Sequence, residues 1–468
     1  MTTPPEKRRR LPIPPAALRR LAGARPDLFP VLFDSADAGA RSLLAAAPCA
    51  MLALDRDNRL VARGDVPPAI IAPPAGPGGF LAALDAWWQL EHGRAPQGRG
   101  LAGGWVVYLG YELAQEIEPS LVLPPGVLPW RAVAMRVRAA IEHDLATGTI
   151  EAVAADDELL DEVAHHATAT AAAAAGASAA HGMSAQPAPT GAGRAAIEEE
   201  PAGRFLERVA RAQEHIRAGD IYQANLSRWW RMDARGVDPF VLYERLRAEN
   251  PAPFAALARF PGMDLLSSSP ERLLAITGRD VATRPIAGTR PRSRRPGEDV
   301  AEAAALAAHP KERAEHVMLI DLERSDLGRV CEAGSVRVDE FMVVESYAHV
   351  HHIVSSVRGR LRAGATPVDA LRAVFPGGTI TGVPKVRCME IIAALEGIGR
   401  DAYTGSLGWL ATGGDADFNI LIRTLTLEGG RLEARAGAGI VADSDPGREL
   451  GETRAKARGM LAALESAP

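Results

Sequence analysis

The segment from Ser335 to Val357 is rich in valine and alternates between apolar and polar residues. Successive side chains of a β-strand point to opposite faces of the sheet, so this period of two predicts paired antiparallel strands. Elsewhere after residue 200, helical and strand-like stretches alternate without the regular βαβ order of a doubly wound sheet. We therefore predict an α+β fold in which antiparallel sheets carry helices on their outer faces.

Composition divides the chain into four parts. Residues 1–12, basic and then proline-containing, are predicted to be a disordered tail, and residues 13–160 an N-terminal region that packs on the rest. Between about Ala164 and Ala196 the sequence narrows to alanine, glycine, serine, threonine and proline, so residues 161–200 are predicted to be a linker. Helical periodicity then resumes, and residues 201–468 are predicted to form the domain that carries the chemistry.

Bulk properties exclude several classes of protein. The 468-residue chain has a formal net charge of -5 and a pI near 6.2, which argues against a nucleic-acid-binding surface. No apolar run reaches the roughly 18 residues that a membrane span requires. The three cysteines show no paired or metal-ligand spacing, which predicts a reducing, cytoplasmic environment.

Two stretches each place two glutamates three residues apart: Glu312 with Glu315, and Glu449 with Glu452. Residues i and i+3 share a helix face, so each pair concentrates negative charge. A divalent cation such as Mg²⁺, held by one or two carboxylates and by substrate oxygens, would neutralise that charge. The alternative is two solvated helix faces, which is the more common meaning of this spacing.

Further segments accompany these pairs in order along the chain. They are GDIYQANLS (219–227), SSSPERLL (267–274), RPIAGTRPR (284–292), FPGGTITGVPKVRCMEII (375–392), FNILIRTL (418–425) and GAGIVADSDPGRELGETRAKA. Together with KERAEH they resemble the chorismate-utilising enzymes, a family that includes anthranilate synthase component I, aminodeoxychorismate synthase component I, and isochorismate and salicylate synthases. The resemblance covers roughly residues 203–461. It implies two facing antiparallel sheets flanked by helices, with the site between them.

The resemblance also implies how a chorismate dianion would be held. Glu315 and Glu452 match direct Mg²⁺ ligands, and Glu312 and Glu449 match an outer acidic shell. Arg423 matches the residue that binds the second carboxylate, for which a guanidinium offers a bidentate fork. The remaining substrate contacts implied are Gly288, Thr289, Tyr403, Gly437, Ala438, Gly439 and Lys456.

Glu271 matches the family's general acid, which protonates the departing 4-hydroxyl of chorismate. That role needs a raised pKa, which burial would supply. His352 matches an active-site histidine and Thr379 lies near the substrate in the family. The neighbouring His349 and His351 could also indicate a transition-metal site, but alternating histidines on a strand more often serve packing.

Gln223 separates the branches of the family. Isochorismate and salicylate synthases carry a lysine there, which activates water, whereas glutamine cannot take up a proton at neutral pH. An ammonia-using enzyme is therefore expected, with aminodeoxychorismate synthase component I preferred over anthranilate synthase component I. Ala287 departs from the lysine of many aminodeoxychorismate synthases and agrees with anthranilate synthases.

Two partners follow from the resemblance. No glutaminase arrangement of cysteine and histidine is evident, so a separate glutamine amidotransferase subunit is expected to supply ammonia. The second partner is tryptophan, for which the family has a pocket. The corresponding residues here are Ser35, Pro253, Phe254 and Ala255, all within segments that depart from the usual motifs.

Overall fold

The computed structural model describes residues 6–36, 41–71, 79–94, 100–180, 196–293, 295–346 and 350–465. Its strands are β1 (Lys7–Arg10), β2 (Val31–Phe33), β3 (Arg41–Asp55), β4 (Leu60–Gly64), β5 (Trp105–Leu109), β6 (Trp130–Asp144), β7 (Thr149–Ala154), β8 (Glu198–Glu199), β9 (Gln223–Asp233), β10 (Phe254–Phe260), β11 (Met263–Ser269), β12 (Arg272–Thr277), β13 (Asp280–Thr283), β14 (Ile286–Pro291), β15 (Arg337–Ser346), β16 (Val350–Arg360), β17 (Gly382–Val383), β18 (Ser406–Leu410), β19 (Ala416–Asn419), β20 (Thr424–Glu428) and β21 (Arg431–Ile440). Its α-helices are α1 (Ala16–Ala24), α2 (Pro68–Ile71), α3 (Phe80–His92), α4 (Ala114–Ile117), α5 (Asp157–Ala180), α6 (Ala202–Arg217), α7 (Pro239–Glu249), α8 (Pro296–Ala308), α9 (Pro310–Gly328), α10 (Pro367–Val374), α11 (Lys385–Glu396) and α12 (Pro446–Glu465).

The strands of the described part form one antiparallel network with two halves. The first half has the order β9–β21–β20–β11–β10–β2–β3. The second half has the order β6–β5–β18–β19–β12–β13–β16, with β14 and β15 also paired to β16. The long strands β3 and β6 pair with each other and belong to both halves. Their register shifts between Pro48 and Ala50, and a bulge of this kind bends the strand that carries it.

One core lies between the two halves. Leu43, Ala258 and Leu265 of the first half share a buried cluster with Val106 and Leu407 of the second. The two halves therefore face each other across an apolar layer. This arrangement confirms the predicted α+β fold with facing antiparallel sheets.

Helices cover the outer face of each half. On the first half, Leu18 of α1, Leu246 of α7 and Met460 of α12 share a buried cluster with Leu266 of β11. On the second, Trp87 of α3 and Leu371 of α10 share a cluster with Trp105 and Leu274. Among the helices of the described part, none has both the length and the apolarity needed to cross a membrane.

The predicted conformation of two segments is wrong in the part that the structure describes. Residues 7–10 of the expected disordered tail form β1, which pairs with β7 along its whole length, and Lys7 and Arg9 form ion pairs with Asp157 and Asp161. Residues 161–180 of the expected linker belong to α5. The composition argument failed there because small side chains suffice for close packing: Val163 and Ala167 are fully buried against the first half.

Other predicted elements are confirmed. The alternating segment contains β15 and β16, which pair with each other from Arg337 opposite Arg358 to Ser346 opposite His351. The GDIYQANLS motif begins β9, and the helix predicted before it is α6. The three cysteines are free, and Cys388 is buried in α11, where its Sγ donates to the backbone oxygen of Gln223.

Candidate active site

Glu271 is a buried carboxyl in the short turn between β11 and β12, with 6% of its surface exposed. Thr379, in a single helical turn that precedes α11, donates its hydroxyl proton to Oε1 of Glu271 at 2.7 Å. Burial raises the pKa of Glu271 to about 7, against the smaller opposing effects of Thr379 and of the cations Lys456 and Arg423. Glu271 can therefore keep its proton near neutral pH and release it to a reacting group.

Arg423 stands between β19 and β20 with a backbone φ of 51°, a left-handed conformation that a non-glycine residue adopts at a cost. Its Nη1 lies 3.5 Å from the side-chain oxygen of Asn250. Burial lowers the pKa of the Arg423 guanidinium, and the Glu271 carboxyl acts in the opposite direction. A guanidinium of this kind stays charged and can bind an anionic ligand close to Glu271.

His352 of β16 is buried, and its Nδ1 lies 3.1 Å from the backbone oxygen of Gly288. Burial lowers the pKa of His352 to about 4, and the nearby Arg423 and Lys456 lower it further, so the ring is neutral at physiological pH. Gly288 has a φ of +66° at an irregularity in the β14–β16 pairing, where a Cβ would lie 2.9 Å from the Glu312 carboxylate. Thr289 pairs with His352 across the strands, and its side chain falls outside the described part.

Gln223, the first residue of β9, connects the strand network to α9. Its Nε2 donates to Oε1 of Glu315 at 2.5 Å, and its own Oε1 is buried with no hydrogen-bond partner in the described part of the chain. Gly439 of β21 lies against this pair, since a Cβ there would stand 2.3 Å from Nε2 of Gln223. Gln223, which stands where isochorismate and salicylate synthases carry lysine, therefore lies beside Glu315, a predicted metal ligand.

In strand β21, Gly437 and Gly439 face the site and Ala438 faces the core. A Cβ at Gly437 would stand 2.6 Å from the Tyr403 hydroxyl and 2.6 Å from Oδ1 of Asn225. Ala438, between them, is fully buried in the cluster under α6 and α11. The prediction that 437–439 leave room for a ligand therefore fits the two glycines, while the Ala438 side chain contributes to packing.

Lys456 of α12 joins these groups. Its Nζ donates to the backbone oxygen of Gly437 at 3.1 Å and forms an ion pair with Glu452 at 2.8 Å. Its charge also acts on Glu271 and on His352. The structure therefore brings the predicted acid, the predicted histidine and the predicted anion-binding residues to one place.

The predicted metal ligands lie on two helices. Glu312 and Glu315 belong to α9, while Glu449 and Glu452 line a cavity of about 330 Å³ at the start of α12. Among the described residues, no three acidic, histidine or cysteine side chains lie close enough together to hold a metal ion. Carboxylates such as those of Glu315 and Glu452 are ligands that suit Mg²⁺, which commonly takes one or two of them and completes its shell with water and substrate oxygens.

A family comparison adds to this geometry. Residues 35–462 match the family model described as chorismate binding enzyme. The chain belongs to this family of chorismate binding enzymes.

Relatives within the family carry two different names. Anthranilate synthase component 1 of Streptomyces coelicolor is 45% identical over 386 residues, which cover 78% of this chain and 73% of the relative. Aminodeoxychorismate synthase component 1 of Bacillus subtilis is 49% identical over 261 residues, which cover 56% of this chain and 55% of the relative. The chain thus spans about half the length of some of the curated relatives that it matches.

A solved structure of the family shares the fold. Anthranilate synthase component I from Streptococcus pneumoniae TIGR4 superposes with a TM-score of 0.74 at 29% identity, covering 90% of this chain and 92% of that chain. The resemblance to chorismate-utilising enzymes that the sequence motifs predicted is confirmed, as is the fold class.

The predicted tryptophan-pocket residues of this family member line a single cavity. Ser35, Pro253, Phe254 and Ala255 border a space of about 260 Å³. Charged residues border it as well: Arg272, which forms a bidentate ion pair with Asp417 at 2.9 and 3.0 Å, and Arg284 with Glu345. An occupant with both a cationic and an anionic group would match this lining.

The histidines beside His352 do not form a metal site in the described part. His351 contacts Asp299 at 3.0 Å and Ser346 at 2.8 Å, which agrees with a packing role, and His349 lies outside the described residues.

Sequence reasoning missed two buried groups near the site. One is the ion pair of Glu396 with Arg400 at 2.7 Å, in which the Arg400 guanidinium also lies 5.5 Å from the Tyr403 ring centre. The other is Glu323 of α9, which is 5% exposed. Helical spacing could have indicated Glu323, because it follows Glu315 by eight residues and therefore shares its helix face.

Proposed function

We propose that this chain catalyses the amination of chorismate to 4-amino-4-deoxychorismate, as aminodeoxychorismate synthase component I. The observation that carries the proposal is Glu271, a buried carboxyl with a pKa near 7, held by Thr379 and acted on by two cations. A proton donor beside cations suits a substrate that carries two carboxylates and must lose a hydroxyl group. Family membership supports chorismate as that substrate.

In the proposed reaction, Arg423 and Lys456 bind substrate carboxylates and hold the ring beside Glu271. The bond from ring carbon 4 to the hydroxyl oxygen breaks as the Glu271 proton moves to that oxygen, which leaves as water. The nitrogen of ammonia forms the new bond to ring carbon 4. One proton of the new ammonium group then returns to the Glu271 carboxylate, which restores the acid.

Magnesium is proposed to bind between Glu315 and Glu452, with Glu312 and Glu449 adding negative charge nearby. When bound, the ion would neutralise substrate carboxylate charge in an acidic pocket. Gln223 positions Glu315 through its amide, and Lys456 positions Glu452 through the ion pair at 2.8 Å.

Ammonia is the proposed nucleophile because Gln223 can donate and accept hydrogen bonds but cannot act as a base toward water. Its buried Oε1, which has no partner in the described part, is an acceptor available to an N–H group. The ammonia is proposed to come from a glutamine amidotransferase subunit. Under this proposal the isolated chain should use ammonium salts at elevated pH and should not use glutamine.

A second candidate is anthranilate synthase component I, which would place the amine on carbon 2 and release pyruvate. The observation that favours it is Ala287, a buried residue of β14 that offers no nucleophile where many aminodeoxychorismate synthases carry lysine. The similarity of four segments to aminodeoxychorismate synthases favours the first candidate: 108–119, 377–392, 403–409 and 417–425.

Product analysis tests the proposal. Purified chain is incubated with chorismate, Mg²⁺ and ammonium, and anthranilate fluorescence is followed; p-aminobenzoate is then measured after aminodeoxychorismate lyase is added. We expect p-aminobenzoate without anthranilate. Anthranilate formed directly would establish the second candidate, and turnover of chorismate without any amine product would contradict both.

A further inference from the structure

Arg400 is a buried residue in the loop between α11 and β18, with 2% of its surface exposed. Its charge is balanced by Glu396, the last residue of α11. Nη2 of Arg400 donates to Oε1 of Glu396 at 2.7 Å, and Nε donates to Oε2 at 3.0 Å. A bidentate pair of this kind fixes the plane of the guanidinium, so its other N–H groups point in fixed directions.

Those N–H groups bind the backbone of two elements of the site. Nη2 of Arg400 donates to the backbone oxygen of Asn225 in β9 at 2.6 Å, and Nη1 donates to the backbone oxygen of Ile380 at 3.3 Å. The backbone N–H of Asn225 in turn donates to the oxygen of Thr381 at 3.0 Å. Arg400 therefore links the turn 378–380 to β9 and strengthens a contact that their backbones already make.

The turn and the strand carry two groups that the proposed reaction needs. Thr379, in the middle of the turn, donates its hydroxyl proton to Glu271 at 2.7 Å. Gln223 precedes Asn225 by two residues in β9, so both side chains lie on the same face of the strand. A shift of the turn relative to β9 would therefore move the proton donor relative to the amide proposed to meet ammonia.

Aromatic rings complete the surroundings of the guanidinium. Its carbon lies 4.9 Å from the ring centre of Tyr111 and 5.5 Å from that of Tyr403, a predicted substrate contact. Lysine could not replace this group, because one ammonium nitrogen cannot form the bidentate pair with Glu396 and reach two backbone oxygens as well. The contacts of Arg400 require a guanidinium.

We infer that Arg400 is a positioning residue for the reaction: its guanidinium holds the turn of Thr379 against β9, which keeps Glu271 aligned with the incoming amine. The inference rests on the proposed function for its catalytic meaning, because that function gives Glu271 the role of acid. The link from Arg400 to Thr379 is a property of the unliganded protein and can be measured without substrate.

A double-mutant cycle tests the inference in the ammonium assay. Arg400→Lys keeps the charge and should lower kcat by about 10–100-fold, with KM for chorismate within about threefold of wild type, because the acid is displaced while the substrate-binding cations remain. In a Thr379→Val background the same change should lower kcat by less than about threefold, since the contact through which Arg400 acts is already missing. Equal losses in both backgrounds would overturn the inference.

Arg136→Lys is the matched control. Arg136 of β6 forms an ion pair with Glu91 at 2.7 Å, donates to the backbone oxygen of Gly103 at 3.3 Å and lies 5.5 Å from the Trp105 ring centre. The change removes the same kinds of contact in the N-terminal region. It should lower stability to urea while kcat stays within about twofold of wild type. A loss of kcat as large as that in Arg400→Lys would contradict a positioning role.

A titration of the unliganded protein separates this inference from the proposed function. The Thr379 hydroxyl favours the ionised form of Glu271, so its displacement should raise the pKa of Glu271. Protein labelled with ¹³C at the glutamate side-chain carboxyl is titrated between roughly pH 5 and pH 9, and the Glu271 resonance is assigned by its loss in Glu271→Gln. In Arg400→Lys the midpoint should rise by roughly half a pH unit, the effect of losing one hydrogen bond.

The titration decides the matter in two further cases. Inactive wild-type protein would contradict the proposed function, and the Glu271 midpoint in Arg400→Lys would still show whether Arg400 holds Thr379. If Arg400→Lys does not fold, Glu396→Gln takes its place, because it removes the charge that fixes the guanidinium plane. The midpoint should rise in that variant too, and a midpoint that stays at the wild-type value would overturn the inference.

Discussion

At Glu271 the protein turns an ordinary carboxylic acid into a proton donor suited to neutral pH. Burial disfavours the charged form, and the Thr379 hydroxyl and the two cations limit that effect, so the pKa settles at about 7. A group whose pKa lies near the working pH is protonated in a large fraction of molecules and can still transfer its proton readily.

The first prediction concerns Glu271→Gln. Glutamine keeps the shape of the side chain and can still contact Thr379, but it has no acidic proton. We expect kcat to fall by about 10²–10⁴-fold while chorismate affinity changes little. Steady-state rates with ammonium and calorimetric titration of chorismate check both parts, and an unchanged kcat would remove Glu271 from the acid role.

The second prediction concerns stability and pH for the same variant. The folded-state pKa of Glu271 is raised from 4.5 to about 7, so the folded protein binds a proton that the unfolded chain releases between these pH values. The cost of the buried charge is therefore fully present above pH 7 and disappears as the pH falls toward 4.5. Glu271→Gln should raise the free energy of unfolding by about 1–3 kcal/mol at pH 8 and change it little at pH 4.5.

Urea unfolding of both proteins at the two pH values measures this difference. A variant that is less stable than wild type at pH 8 would show that the carboxylate is well compensated in the folded state. The raised pKa would then be wrong.

Individual site residues were predictable where they lie in a motif that resembles the chorismate-utilising family. Glu271, Arg423, Lys456 and His352 were all named from sequence, and the structure brings them together. Glu323 was not: its spacing from Glu315 could have indicated its helix face, but its burial depends on a partner surface that the sequence does not show. Glu315 and Glu452 were predicted as direct metal ligands with Glu312 and Glu449 around them, which stays a prediction; the contacts of Gln223 with Glu315 and of Lys456 with Glu452 were not foreseen.

Among the elements, strand β21 shows how backbone alone can shape a site. Its glycines at 437 and 439 alternate with a buried alanine, so the face toward the site lacks side chains while the other face packs under α6 and α11. Because successive residues of a strand point to opposite faces, one face of β21 can leave room for a ligand while the other packs in the core.

The third prediction tests this face with Gly439→Ala. The added methyl would stand 2.3 Å from Nε2 of Gln223, so the amide must move and its hydrogen bond to Glu315 is lost. We expect kcat/KM to fall by about a hundredfold, the loss expected when a site group is displaced by about 1 Å. Ammonium-dependent rates of the purified variant provide the measurement.

Gly203→Ala is the matched control, because it makes the same change in α6 at an exposed position where a Cβ meets no atom within 4 Å. It should keep full activity and be slightly more stable, since alanine favours a helix over glycine. Equal activity of the two variants would mean that Gln223 does not need its place beside Glu315.

Elements with strong periodic patterns were predictable from sequence, as β15 and β16 show, and those that depend on a distant partner were not. Strand β1 is four residues of Lys and Arg with no apolar pattern; it exists because β7 offers a free edge and because acidic residues on α5 lie beside it. Helix α5 packs through Val163 and alanines against a surface made by other parts of the chain. Composition gives no information about such surfaces.

On the scale of the whole molecule, β3 and β6 make the two halves one unit. The N-terminal region contributes both long strands, and it cannot separate from the rest without breaking the β2–β10 and β5–β18 pairings. The cavity of about 260 Å³ is lined by residues from both the N-terminal region and the later strands, among them Ser35, Phe254 and Trp409.

The fourth prediction is that this cavity binds tryptophan. Phe254 supplies an aromatic wall that also stacks near Arg272, whose guanidinium lies 5.0 Å from the ring centre, and the paired charges around it suit the amino and carboxylate groups of a zwitterion. Ala255→Met places a larger side chain at the cavity wall without changing the chorismate site. It should raise the Kd for tryptophan tenfold or more, which corresponds to a loss of roughly 1.4 kcal/mol of binding free energy. Calorimetric titration with tryptophan, and with phenylalanine for comparison, measures the binding. Heat of binding that is lost in Ala255→Met would place the ligand in this cavity. No heat with the wild-type protein would contradict the prediction and would mean that the altered motifs around Ser35 and Pro253 do not recognise tryptophan.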